Sequence, residues 1–195
     1  MDTYSDKIMK TKNEEQNLLP FRIKLIPIMF ILLIIVFNMG AFTTINPEDA
    51  KKLYEQTKKF LEGLVKEKNS FDNITYAIFF HNAPIIISGV IPFFGLITIF
   101  TSYYTSGLFI GVTSQITGIN KINIVMYTFS FLHTWLELLS ASIVSTESFV
   151  LSYALLKKKL NSELLYSLAM VFLAVSIMAL AATVETFYIK QIIKK

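Results

Sequence analysis

The sequence predicts an all-α fold, a polytopic helical membrane bundle, and three observations carry that expectation. Of 195 residues, 53% are hydrophobic, and the mean hydropathy is +0.54. Charged residues make up 16%, where an ordinary soluble domain carries about 25%. The charges crowd into residues 1–24, 48–72 and short runs near 157–163 and 190–195, which leaves uncharged windows long enough for spans of about 20 residues. Five spans are expected, or six if residues 123–156 form a broken or re-entrant pair, with one amphipathic helix outside the bilayer. The absence of cysteine excludes a disulfide framework, a thiolate metal site and a cysteine nucleophile. The net charge of +4 is accounted for by lysines at membrane edges, so no nucleic-acid partner is expected.

Residues 1–20 are polar and mixed in charge, with little to bury, and are expected to form a disordered tail. Residues 21–195 then make one membrane domain. Arg22 and Lys24 mark a membrane edge, and the uncharged stretch from Leu25 to Pro47 suffices for a first span, with Pro27 in a turn that tolerates it. The apolar part of this stretch is longer than a signal-peptide core and reads as an uncleaved anchor. An extramembrane helix follows over 47–68. Asn46 suits its N-cap, Pro47 its first position, and Glu48 with Asp49 the positive end of its dipole. Ala50, Leu53, Tyr54, Phe60, Leu61 and Leu64 recur at helical spacing, with lysines and glutamates on the other face.

From Asn73 to Asn120 the length allows two spans, the first broken or kinked by Pro84, Gly89, Pro92 and Gly95 and starting at His81-Asn82-Ala83-Pro84. The Asn73-Ile-Thr75 sequon lies too close to that span to carry weight. Gly107 and Gly111 form a small-xxx-small pattern for close helix approach. Residues 123–156 as one helix would be about 50 Å long against a hydrocarbon core of about 30 Å, so a break is expected, and the hydroxyl-rich run Ser140–Ser148 is the preferred place. The last span, Leu164–Ile189, carries Ala174, Met178, Ala181, Ala182 and Glu185 on one face, which should pack tightly. Lysines on both sides of the first span leave only a lean toward an inside N-terminus.

The chemistry-bearing residues lie inside these apolar runs. An ionised carboxylate at mid-bilayer costs about 2.5–3.5 kcal/mol, so it needs a partner, a wet cavity or a task. Tyr127, Ser130, His133, Thr134, Glu137, Ser140 and Ala141 share a helical stripe that should face the bundle interior, and His133 and Glu137 are at i and i+4, within hydrogen-bonding reach. Glu185, Glu147, His81 and Asn82 are candidates to complete one buried polar cluster. Three readings stay open: a structural clasp fixing helix register, a proton, ion or ligand site in a permease-like bundle, and a metal site using His133, Glu137 and Glu185. No cofactor is identified. Without His-Glu-x-x-His, Gly-x-Ser-x-Gly or cysteine, no catalytic residue is assigned.

The stretches Phe79-Phe80-His81-Asn82-Ala83-Pro84, Gly107 to Gly111, Leu132-His133-Thr134-Trp135-Leu136-Glu137-Leu138 and Ala181-Ala182-Thr183-Val184-Glu185-Thr186-Phe187 together resemble the stage II sporulation protein M family over about residues 75–190. The His-x-x-x-Glu and the terminal Ala-Ala-x-x-Glu-x-Phe are the more specific parts. The sequence departs from the pattern at His81-Asn82 (usually Asn-Asn), Leu132-His133-Thr134 (Pro-His-Gly), Ser106-Gly107 (Asn-Gly) and Ser145-Thr146-Glu147-Ser148, where glycines are usual. The resemblance implies a multi-pass, all-helical protein of the cell membrane. It also implies a role like that of the founding member, a membrane scaffold for a peptidoglycan-degrading complex during engulfment. The expected function is therefore a non-enzymatic scaffold or assembly factor, with a transporter-like or permease subunit as the alternative and a metal-dependent membrane enzyme behind it. The expected partners are the lipid bilayer and a protein docking on the amphipathic helix; a homodimer through small-residue faces is an open alternative.

Overall fold

The computed structural model describes residues 18–66 and 70–193, so most of the expected tail lies outside the described residues. Seven helices and no strand occur among the described residues: α1 (Leu19–Phe42), α2 (Pro47–Lys66), α3 (Phe71–Ser88), α4 (Phe94–Thr117), α5 (Lys121–Phe129), α6 (Leu132–Leu156) and α7 (Leu160–Ile193). Four of them, α1, α4, α6 and α7, are long and apolar enough to cross a membrane. α3 is not among these, because Asp72, Asn73, His81 and Asn82 dilute its apolar residues.

Side-chain contacts fix the direction of each helix. The start of α1 meets the end of α6 and the start of α7 through Arg22, Glu147 and Glu163. Its end meets the second half of α4, where Thr43 Oγ1 lies 3.0 Å from the Tyr104 hydroxyl and Gln115 Nε2 donates to the Ile45 carbonyl. The start of α3 lies beside the end of α7 through the Thr75–Thr186 hydrogen bond of 3.0 Å. Its far end returns toward the last turns of α6, where Ser148 Oγ donates to Ile91 O at 2.9 Å and Phe93 N donates to Ser152 Oγ at 2.7 Å. Helices α1, α4 and α7 thus run one way, and α3 and α6 run back. The bundle has an Arg22 end and an α2 end.

α6 is the central helix. Ser140 to Ser148 are all buried, and small side chains there let the neighbours approach closely. Leu138, Ala141 and Val144 meet Leu33, Ile86 and Ile99 in the main apolar core. Between α1 and α4 the approach is closer still: a methyl group on Gly40 would overlap the Tyr104 carbonyl, and one on Gly107 would overlap the Phe37 carbonyl. Gly111 faces Ala41 in the same seam. The small-xxx-small face is therefore occupied by α1 of the same chain and is not open to a second copy. Ala181 and Ala182 are likewise fully buried within the chain.

The breaks expected at Ser140–Ser148 and His81–Pro84 fall elsewhere, while the one expected at Gly89 and Pro92 is found. The run Ser140–Ser148 stays helical, because Ser140, Ser142 and Ser148 donate to carbonyls of Ala174, Leu139 and Ile91 and so are satisfied without opening α6. The break comes at Ser130–Phe131 instead. There Thr134 Oγ1 donates to Thr128 O and Trp135 Nε1 to Phe129 O, at 2.9 and 2.8 Å, which satisfies carbonyls freed at the end of α5. Similarly, α3 continues through His81–Pro84 to Ser88, since a proline removes only one helix donor. Its break lies at Gly89–Phe93, where the missing Cβ of Gly95 admits the Gly89 carbonyl. Phe93 (φ 64°) sits at the centre of a γ-turn closed by Phe94 N to Pro92 O at 2.7 Å, an uncommon conformation for a residue with a side chain.

The amphipathic helix appears as expected. Asn46 Oδ1 accepts from Glu48 N at 3.1 Å, as an N-cap should. Ala50 is buried and Tyr54 stacks on Phe109 of α4, while Lys51, Lys52, Glu55, Lys58 and Lys59 are exposed.

Candidate functional site: two polar clusters on the central helix

The first cluster lies near the α2 end. His133 and Glu137 occupy the first two turns of α6 and, with Tyr103, Ser106, Thr128 and Thr134, line a cleft of about 210 Å³. The break before Leu132 shapes this cleft, because it lets α5 turn away and places Thr128 and Phe129 across the mouth from α4. The His133 ring stacks on Phe131 (5.5 Å between centroids) and tilts against Tyr188 (5.9 Å). Its Nδ1 is buried and has no hydrogen-bond partner. The expected His133–Glu137 hydrogen bond does not form. Glu137 instead accepts a long hydrogen bond of 3.4 Å from Asn82 Nδ2 on α3. Glu185 is half-buried on α7. Among the described residues neither carboxylate forms an ion pair with a basic side chain.

His81 and Glu147 do not join this group. His81 is exposed on α3, one residue before Asn82 and so about 100° around the helix from it. Glu147 is ten residues after Glu137 on the same helix, which puts it about 15 Å away along the axis and on a different side. Tyr127 and Ser130 are exposed, since the chain break cuts the expected stripe ahead of Leu132. No three His, Cys, Asp or Glu side chains among the described residues are grouped so as to hold a metal ion, and this includes His133, Glu137 and Glu185.

The second cluster, at the Arg22 end, was not read from the sequence as a unit. Arg22, Glu147, Glu163 and Ser167 are all buried. Arg22 Nε donates to Glu147 Oε1 at 2.9 Å, Nη1 to Glu163 Oε2 at 2.5 Å and Nη2 to Ser167 Oγ at 3.1 Å. Ser167 Oγ in turn donates to Glu147 Oε2 at 2.6 Å, which closes a ring of hydrogen bonds. The guanidinium also lies 5.9 Å from the centre of the Tyr166 ring. The planar fork of arginine serves several acceptors at fixed angles, which a lysine could not do. This cluster ties α1, α6 and α7 together at one end of the bundle. Its signal in the sequence is that Arg22 is the chain's only arginine.

Four apolar helices of span length and a charged cluster sealed inside the bundle define an integral membrane protein of the all-helical class. The chain belongs to the stage II sporulation protein M family, whose description, Stage II sporulation protein M, matches residues 28–188. The matched stretch contains both acidic partners of the clasp and the whole first cluster, but begins after Arg22. No curated protein and no solved structure matches the chain.

Proposed function

We propose that this chain is a non-enzymatic scaffold or assembly factor, multi-pass in the cell membrane, with α3 as a fifth crossing and α2 as its docking surface. The observation that carries this reading is the filled axis between the two clusters. Leu138 closes the floor of the cleft, and below it Ala141, Val144, Leu33, Ile86 and Ile99 are packed without exposure above a few per cent. The Arg22 clasp is buried at the opposite end, and this packing between the two clusters favours a scaffold over a conduit. Direction supports the fifth crossing: α1 and α4 run the same way, and α3, between them in the chain, runs back.

A transport role is the second reading, favoured by the unpartnered His133 Nδ1 and the uncompensated Glu137 and Glu185. Proteoliposome flux separates the two. Purified protein is expected to pass neither protons nor small cations above the protein-free background. A flux abolished by Glu137→Gln and Glu185→Gln would transfer the function to transport.

A further inference from the structure

The polar cleft does not stand alone. On the other side of Phe129 lies a groove of about 500 Å³ between α1, α5 and the start of α6, lined mainly by Ile34, Val125, Met126, Phe129 and Trp135. Phe129 is a wall of both spaces and packs on Phe37 (5.4 Å) inside and on Trp135 (5.5 Å) outside. Met126 and Trp135 are exposed, so the groove opens sideways to where lipid chains would lie. The short helix α5 and the break after it are what bring the two spaces together.

The geometry points to a single lateral binding site for a membrane lipid with an amine headgroup, the headgroup in the cleft and an acyl chain in the groove. The chemistry of the lining selects the headgroup. The cleft offers the Glu137 carboxylate and the hydroxyls of Tyr103, Ser106, Thr128 and Thr134, and no lysine or arginine. A headgroup that donates hydrogen bonds answers those acceptors; one that only accepts them leaves Glu137 unanswered. The chain cannot supply selectivity, because an acyl chain is as well solvated by the bilayer as by an apolar groove. Discrimination therefore rests on the cleft. This site depends on neither the scaffold nor the transport reading.

The test uses Trp135, the chain's only tryptophan, as a reporter on the groove. The full-length protein is reconstituted in vesicles of unlabelled phosphatidylcholine carrying a variable minority of a lipid brominated on its acyl chain. Brominated phosphatidylethanolamine, phosphatidylcholine and phosphatidylglycerol are compared; the first two differ at nitrogen only in having N–H donors or methyl groups. Saturable quenching by the ethanolamine lipid at about tenfold lower mole fraction than by the choline lipid is expected, the size of one hydrogen bond to a charged acceptor. The preference should vanish in Glu137→Gln, which keeps the size of the side chain and removes its charge. Equal quenching by all three lipids in the wild type would show only lipid at the protein's perimeter and would overturn the site, a result that needs no variant to fold. A preference for the ethanolamine lipid that survives Glu137→Gln would overturn the assignment to the cleft.

Discussion

Arg22 carries the residue-scale argument. In the sequence it reads as a membrane-edge cation like the lysines around it, yet it is completely buried and holds two carboxylates and a hydroxyl. Linear spacing could not reveal this, because its partners lie 125 and 141 residues away. Removing the cation strands two buried carboxylates. Arg22→Leu is expected to destabilise the protein by about 3–5 kcal/mol, read as loss of unfolding midpoint in detergent. Ser167→Ala, which leaves both ion pairs in place, should cost less, about 1.5–3 kcal/mol. If Arg22→Leu unfolds like wild type, the clasp is not formed in the protein. His133 and Glu137, by contrast, were legible as a pair that faces inward. What the spacing could not show is that they point into a cleft and do not bond to each other. The i, i+4 rule gives proximity, whereas the ring of His133 is turned by its stacking on Phe131 and Tyr188.

At the scale of elements, capping and amphipathic signals proved reliable. The helix read as 47–68 is found as Pro47–Lys66, with Asn46 as its cap. Breaks were harder, since serine and threonine can either open a helix or satisfy a neighbour's carbonyl, and only the neighbour's position decides which. In α6 Ser140 and Ser148 bond outward and the helix survives; at Ser130–Phe131 the hydroxyl of Thr134 and the indole of Trp135 rescue the freed carbonyls. Two further predictions belong here. Gly107→Ala forces a methyl group into the backbone of α1 and should destabilise by about 1–3 kcal/mol, measured by the same unfolding assay; no change would mean that α1 and α4 are not in contact there. The end of α6 is a Schellman turn, with Lys159 N on Ala154 O at 2.8 Å and Lys158 N on Leu155 O at 3.1 Å, and it places Lys158 at φ 56°. Glycine adopts that conformation without steric cost, so Lys158→Gly should stabilise by about 1 kcal/mol, and a loss of stability would contradict the turn.

For the whole molecule, composition and the uncharged windows made the all-helical membrane class legible, and the directions of the helices required three-dimensional contacts. With α3 as the proposed fifth crossing, the start of α1 and the end of α7 lie on opposite faces. Because the chain has no cysteine, single-cysteine variants at Lys24 and Gln191 can be labelled in intact cells with a membrane-impermeant thiol reagent; one should label and the other only after lysis. Labelling of both from the same side would remove the fifth crossing. The proposed role of α2 as a docking surface is the central claim. The most direct measurement is gentle solubilisation of native membranes and affinity capture of the full-length chain, beside a variant with Lys51, Lys52, Lys58 and Lys59 reversed to glutamate. These side chains are exposed, so the reversal leaves the bundle intact. The account predicts a distinct protein in fixed ratio to the wild-type chain and its loss from the variant. Wild-type chain recovered alone, or only with copies of itself, would contradict the scaffold.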